Sequence, residues 1–284
     1  MTDKNTFFQQ KLSLNVRRRL LDLTQPKVMG IVNVTPDSFY DGGKTNTQTE
    51  ILNQTGRMLE EGAAIIDLGA YSSRPNAENI TPEEELARLV PSLISIVREY
   101  PQVLISVDTF RADVARIAIE EGAHMINDIS GGQMDDQMFG TLAKLKVPYI
   151  LMHMKGTPQT MIGESSYEDV FEEVFQYFIA RINQLKELGI TDVIIDPGFG
   201  FAKTAAQSYE LLSKLDQFKI IGLPVLAGLS RKSMISKVLD TTPEFALNGT
   251  TAANTIALMK GAKILRVHDV KAAVEAVKIV GKLE

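Results

Sequence analysis

Eight short apolar runs separated by polar and amphipathic stretches leave this chain few folds to choose from. They are VMGIVN (28 to 33), AAIIDL (63 to 68), VLISVD (103 to 108), AHMIND (123 to 128), PYILMH (148 to 153), VIIDP (193 to 197), PVLAGL (224 to 229) and AKILRV (262 to 267). A run that is apolar at odd and even positions alike is buried on both faces, as a strand of a parallel sheet is. Helical periodicity fills the intervals. Val174, Phe178, Ile182, Leu185 and Leu188 share one face of the stretch from 170 to 188, and Leu86, Leu89, Leu93 and Val97 repeat between 82 and 100. Gly62, Gly122, Gly189 and Gly261 each stand between a helical stretch and a strand, where C-caps occur. Eight strand–helix units over roughly 250 residues predict an α/β chain folded as a (β/α)8 TIM barrel rather than a doubly wound sheet.

The stretch KLSLNVRRRLLDL, residues 11 to 23, precedes the first unit and alternates Leu12, Leu14 and Val16, then Leu21 and Leu23. It predicts a hairpin that closes the bottom of the barrel. The expected division is an N-terminal segment with hairpin over 1 to 27 and a barrel over 28 to 284. With 44% hydrophobic residues in 284, the chain can bury one large core. No apolar run approaches the roughly 20 residues that cross a bilayer, and the polar start MTDKNTFFQQ is unlike a signal peptide. The expected location is the cytoplasm, with no membrane partner. The sequence has no cysteine, which fits a reducing compartment and excludes thiolate metal sites. A net charge of -5 argues against nucleic acid as a partner, while leaving room for a few placed cations that hold an anionic small molecule.

Barrel enzymes carry their chemistry at the C-terminal strand ends, and here those ends are polar. Asn33, Asp108, Asn127, Asp128, His153 and Asp196 lie at strand ends, Asp67 lies within the second strand, Ser230, Arg231 and Lys232 follow the seventh, and Arg266 and His268 end the eighth. Any one of them has a structural use, since Asp and Asn cap helices, and Asn127 or Asp128 could cap the following turn. Together they form two chemical groups. Asp108, Asn127 and Asp196 could read the donor and acceptor edge of a planar heterocycle. Arg231, Lys232, Arg266 and His268 sit where barrels often hold phosphate. His268 shares a face with Arg266 by strand spacing. His153 reads as a buried strand residue and His124 as structural, being at the other barrel end. The three histidines match no zinc spacing.

The stretch DPGFGFAKT, 196 to 204, has the glycines and lysine of a phosphate loop but not their spacing, because Ala202 precedes Lys203. It predicts a strand-to-helix turn in which Lys203 reads equally as solvent-facing or as a support. Two long polar loops, 33 to 45 and 70 to 84, are built like lids.

The stretches GIVNVTPDSFYDGG (30 to 43), SSRPNA (72 to 77), SVDTF (106 to 110), INDISGG (126 to 132), LMHMKGTPQTM (151 to 161), DPGFGFAKT, GLPVLAGLSRKS (222 to 233) and RVHDV (266 to 270) occur in one order. Through them the chain resembles the dihydropteroate synthase family, folate-pathway transferases that join a pterin diphosphate to 4-aminobenzoate. The resemblance covers about residues 28 to 280. It implies that Asp108, Asn127, Asp196 and Lys232 hold the pterin ring, with Met152, Phe201 and Gly228 packed around it. It assigns Asn33, Arg266 and His268 to the diphosphate, Asn33 through Mg²⁺. It assigns Phe39, Ser73, Arg74, Pro75 and Ser233 to 4-aminobenzoate, and places Asp41 near the reacting methylene. Asp41, Ser73, Arg74 and Lys232 are the expected catalytic residues, and a homodimer is the expected assembly. Departures from the family pattern are Tyr71 where many relatives carry an acid, Ser73 where they carry threonine, and Phe199 and Ala202. Two rivals are a pterin-binding methyltransferase barrel, which has no use for a diphosphate site or the SRK triplet, and a non-catalytic pterin-binding paralogue, in which loss of Arg266, His268, Lys232 or the first-loop motif is expected.

Overall fold

The computed structural model describes residues 10–17, 19–34, 47–72 and 79–283. After a two-stranded antiparallel hairpin, β1 (Ser13–Val16) and β2 (Arg19–Asp22), come eight parallel strands: β3 (Lys27–Asn33), β4 (Ile65–Gly69), β5 (Leu104–Asp108), β6 (Met125–Asp128), β7 (Tyr149–Met152), β8 (Val193–Asp196), β9 (Leu226–Ala227) and β10 (Ile264–Val267). Each barrel strand coincides with one of the eight apolar runs. The strands lie in the order β8-β7-β6-β5-β4-β3-β10-β9, and a parallel bridge between Ile195 and Val225 joins the two ends of that row into a barrel.

Helices α1 (Thr47–Glu60), α2 (Pro82–Glu99), α3 (Ala112–Glu120), α4 (Met138–Leu145), α5 (Val170–Glu187), α6 (Ala205–Ser213), α7 (Ser233–Val238), α8 (Leu247–Met259) and α9 (Val270–Val280) surround it. Gly62, Gly122, Gly189 and Gly261 all adopt positive φ just past a helix, as their C-cap positions predict. α5 buries Val174, Phe178, Ile182 and Leu185. Leu188 does not join them: the helix ends at Glu187, and Leu188 stands exposed in the cap.

The period of two along each strand sorts its residues between two cores. Val28, Ile66, Ile105, Val107, Ile126, Tyr149, Leu151, Val193, Ile195, Leu265 and Val267 point outward and pack under the helices. Met29, Ile65, Met125, Ile150, Ile194, Leu226 and Ile264, each one residue out of phase with that set, point inward. The hairpin completes this inner layer with Leu14, Val16, Leu21 and Leu23, all buried in it. Lys11 fastens the hairpin to the bottom of the barrel through its N–H to the Gly222 carbonyl at 2.8 Å and its ammonium to Asp192 at 2.7 Å. No helix among the described residues is long and apolar enough to cross a membrane.

Candidate active site

The same parity that puts Ile65 and Met125 in the inner apolar layer puts Asp67 and Asn127 two residues further along, inside the upper barrel. Pairing register then aligns the strand ends: Asn33 is opposite Gly69, Gly69 opposite Asp108, and Asp108 opposite Asn127. Gly69 matters in this row because Asn33 and Asp108 close over it. A Cβ there would lie 3.4 Å from the Asp108 Cβ and 3.8 Å from Asn33 Oδ1.

Arg266 reaches across from β10 and ties the row together. Its Nε donates to Asp67 Oδ2 and its Nη2 to Asp108 Oδ2, each at 2.6 Å, while Asn127 Nδ2 donates to the same Asp67 oxygen at 3.0 Å. Burial works against the guanidinium, but Asp67 and Asp108 more than offset it, so its pKa lies above the usual arginine value. Burial pushes Asp108 up to about 7; Arg266 opposes the shift, and the crowding carboxylates of Asp67, Glu85 and Asp128 reinforce it. Sequence reasoning gave Asp67 no role, although an acid at inward parity within a fully apolar strand is the signal that finds it.

The facing wall comes from β8 and the turns beyond. Asp196 accepts from the Gly198 N–H at 2.8 Å, and burial raises its pKa against the pull of Lys232. Lys232 occupies the N-cap position of α7, donates to the Phe199 carbonyl, and places Nζ 4.9 Å from the centre of the Phe201 ring. Burial lowers the Lys232 ammonium to about 8, with Arg266 adding to the effect and Asp196 opposing it. Both side chains converge beside Gly228: a Cβ there would stand 3.8 Å from Asp196 Oδ2 and 3.8 Å from Lys232 Nζ. Met152 pairs with Asp196 in register and packs with Phe201 in an apolar cluster that also holds Tyr71, Phe110 and Met154. Asp108, Asn127, Met152, Asp196, Phe201, Gly228 and Lys232 therefore line one end of the barrel, with Asn33, Arg266 and His268 at the same end. Ser233, the first residue of α7, is exposed next to Lys232. Phe39, Asp41, Ser73, Arg74 and Pro75 lie outside the described residues.

One expectation changes, that for Arg231, and two readings left open by the sequence are decided. Asp128, at outward parity, is the turn cap: it accepts from Ser130 N–H and hydroxyl, Gly132 N–H and the Tyr149 hydroxyl at 2.7 to 2.8 Å. Arg231 is turned away from the anion group, held bidentate by Asp269 at 2.8 and 2.9 Å and by the carbonyls of Pro243 and Glu244. Lys203 is buried rather than solvent-facing, and donates around His153. His153 itself packs edge-on against Tyr177, as a structural residue would. Of the departures, Tyr71 stacks edge-on against Phe110 at 5.0 Å and accepts from Gln159, while Phe199 points into the outer core and offers the site only its carbonyl.

Comparison with known proteins agrees with this geometry. The profile of the family described as pterin binding enzyme matches residues 29–268. Dihydropteroate synthase of Escherichia coli strain K12 is 45% identical over 262 residues, covering 92% of each chain. The structure of Xanthomonas albilineans dihydropteroate synthase with 4-aminobenzoic acid superposes with a TM-score of 0.90 at 40% identity, covering 96% of this chain and 98% of that one. The same enzyme in complex with 7,8-dihydropteroate superposes at 0.86 with 39% identity, covering 95% and 98%. A chain so matched along nearly its whole length belongs to the pterin-binding enzyme family, and within it to the dihydropteroate synthases.

Proposed function

We infer that the protein condenses 6-hydroxymethyl-7,8-dihydropterin diphosphate with 4-aminobenzoate, giving 7,8-dihydropteroate and diphosphate. The observation that carries this reading is the pairing of an acid–amide wall, Asp108 and Asn127, with an acid–lysine wall, Asp196 and Lys232, across one barrel mouth. Such walls suit the amino and ring N–H edge of a pterin, because buried carboxylates accept such donors and leave few polar groups unmet. Phe201 and Met152 supply faces for the ring.

Arg266 and His268, both at the end of β10, would take up the charge that grows on a departing diphosphate. The Ser230 oxygen accepts from the His268 backbone N–H at 3.2 Å and lies 3.1 Å from its Nδ1. A hydroxyl that donates to Nδ1 leaves Nε2–H as the donor toward an anion. Loss of diphosphate before attack by the arylamine fits a methylene conjugated to an electron-rich pterin, and it asks for no strong base; Asp41 is assigned to stabilise the resulting cation. The donor set also suits Mg²⁺. Among the described residues no cluster of acids and histidines forms a metal cage, and magnesium commonly takes one or two protein oxygens plus substrate phosphates. Asn33 Oδ1, at a strand end beside Asp108, would be that oxygen, and the ion when bound would neutralise diphosphate charge.

We further propose a cytoplasmic homodimer. Val238, Leu239, Phe245, Ile256 and Met259, on α7, α8 and the turn between them, expose large apolar side chains, more than a solvated helix pair needs. Phe245→Asp should convert a dimer in sedimentation analysis to monomer. The functional test is incubation with both substrates and Mg²⁺ while diphosphate is followed. Pterin binding without diphosphate release would instead favour a non-catalytic pterin-binding protein.

A further inference from the structure

The turn after β8 encloses a cation that the proposed chemistry leaves unused. Gly198, Gly200 and Ala202 adopt φ of +68°, +77° and +49°, and in the turn they shape the carbonyls of Gly198 and Phe201 face Lys203. Lys203 Nζ occupies the centre of the coil. It donates to the carbonyls of Phe201 at 3.0 Å, Gly198 at 3.1 Å and His153 at 3.3 Å, and lies 2.9 Å from His153 Nδ1. Without it, three buried carbonyls would face one another with fewer partners, each costing on the order of 1–3 kcal/mol.

What the coil holds is the pterin wall. The Gly198 carbonyl that accepts from Lys203 belongs to the residue whose N–H donates to Asp196, and the Phe201 carbonyl belongs to the ring that faces Lys232. We propose, resting on the functional reading above, that Lys203 is a positioning residue of the pterin pocket: its ammonium fixes the turn that aims Asp196 and presents Phe201. The charge acts as well as the hydrogen bonds. Asp196 is faced by Lys232, Arg266 and Lys203, each of which favours its ionised form. Burial lowers the Lys203 ammonium well below the usual lysine value; Asp196 opposes that shift, Lys232 and Lys155 add to it, and His153 Nδ1 also faces the group. Lys155 is itself paired with Glu173 at 2.6 Å, which leaves Asp196 as the carboxylate that opposes the burial of Lys203.

The test compares wild type, Lys203→Met and Lys203→Gln by far-UV circular dichroism, by titration with the pterin diphosphate from pH 5 to 9, and by KM for each substrate. In folded Lys203→Met the pterin dissociation constant should rise about tenfold or more, the scale of a lost charged hydrogen-bond network, with KM for 4-aminobenzoate within about twofold. Lys203→Gln keeps amide donors and removes the charge, so it should recover part of that affinity. In both, the acid limb of pterin binding should move to higher pH as Asp196 loses a neighbouring cation. Folded variants with unchanged pterin affinity and an unmoved acid limb would overturn the assignment. So would failure of both variants to fold, since a residue the fold cannot lose is not one that tunes the pocket. Wild type that binds no pterin would instead overturn the functional reading.

Discussion

Arg266 Nη2 sits 2.6 Å from Asp108 Oδ2, so the residue assigned to the leaving group is fastened to a residue assigned to the pterin. With Asp67 on its Nε at the same distance, the guanidinium is the counter-charge for Asp67 and, once it ionises above about pH 7, for Asp108 as well. Arg266→Met should abolish diphosphate release and cost about 3 kcal/mol of folding stability, the scale of a broken buried ion pair. Asp67→Asn in the same chain should return part of that loss, because it removes one of the stranded charges. Urea midpoints of the two single variants and the double variant measure it; strictly additive losses would argue that the pair does not interact.

Asp108 gives that cluster a pH dependence whose sign can be worked out. Its carboxyl keeps its proton to about pH 7 in the folded state, against 3.8 for an ordinary aspartate. Between those values the unfolded chain ionises and the folded one does not, so stability falls as pH rises through this window. Asp108→Asn carries no such titration. The stability of wild type minus that of the variant should therefore decline from about pH 4 to pH 7 and level off above it. A difference that stays flat in that range would place the carboxyl at its ordinary value.

Lys232 titrates from the other side. Its ammonium, lowered to about 8 from 10.5, loses its charge at a pH where an exposed lysine keeps it. For stability the sign is positive, since the unfolded chain holds more protons between those values and folding gains as pH rises. For binding it is negative: pterin affinity should fall above about pH 8, and Lys232→Met should bind weakly with no alkaline limb. Lys232→Ala should lose at least about 10²-fold in turnover, the scale of removing one group that meets developing charge. Full activity in that variant would end its assigned role.

The barrel was legible because parallel strands buried on both faces read as unbroken apolar runs, and because Gly62, Gly122, Gly189 and Gly261 mark where helices stop. Much of the site was legible too, since strand parity carries Ile65 to Asp67, Met125 to Asn127, Ile194 to Asp196 and Ile264 to Arg266. Parity also separates Asn127 from its neighbour Asp128, a distinction the sequence reading left open. Turns obey no such period. Arg231 follows β9 closely enough to look like a phosphate ligand, yet its own φ of +55° helps carry its side chain outward to Asp269. Lys203 reads equally as a surface or a supporting lysine in the sequence because nothing in AKT reveals three carbonyls converging from separate peptides.

Backbone shape in that turn leads to a paired prediction. Gly198 and Gly200 both have left-handed φ, +68° and +77°, but a Cβ at 198 would lie 2.1 Å from the His153 carbonyl oxygen, whereas at 200 the nearest atom is Lys232 Cδ at 3.6 Å. Gly200→Ala should cost about 1–2 kcal/mol, the left-handed penalty alone. Gly198→Ala should cost more than that, because rigid backbone must move, and it should also weaken pterin binding by shifting the N–H that Asp196 accepts. Thermal melts of the two variants decide it; equal losses would show that the His153 contact relaxes freely.

The hairpin offers a control at the opposite end of the barrel. Leu14 is fully buried against the inner apolar layer, while Leu20 in the facing strand is 76% exposed. Leu14→Ala should lower stability by about 3 kcal/mol through lost contact and an unfilled cavity, and Leu20→Ala should stay within about 0.5 kcal/mol of wild type. Because Lys232, Asp196 and Asp108, the groups proposed to meet the pterin, lie at the far strand ends, the folded fraction of Leu14→Ala should retain wild-type KM for both substrates. Raised KM in that fraction would mean that the bottom layer transmits strain to the upper one through Ile65 and Met125, directly beneath Asp67 and Asn127.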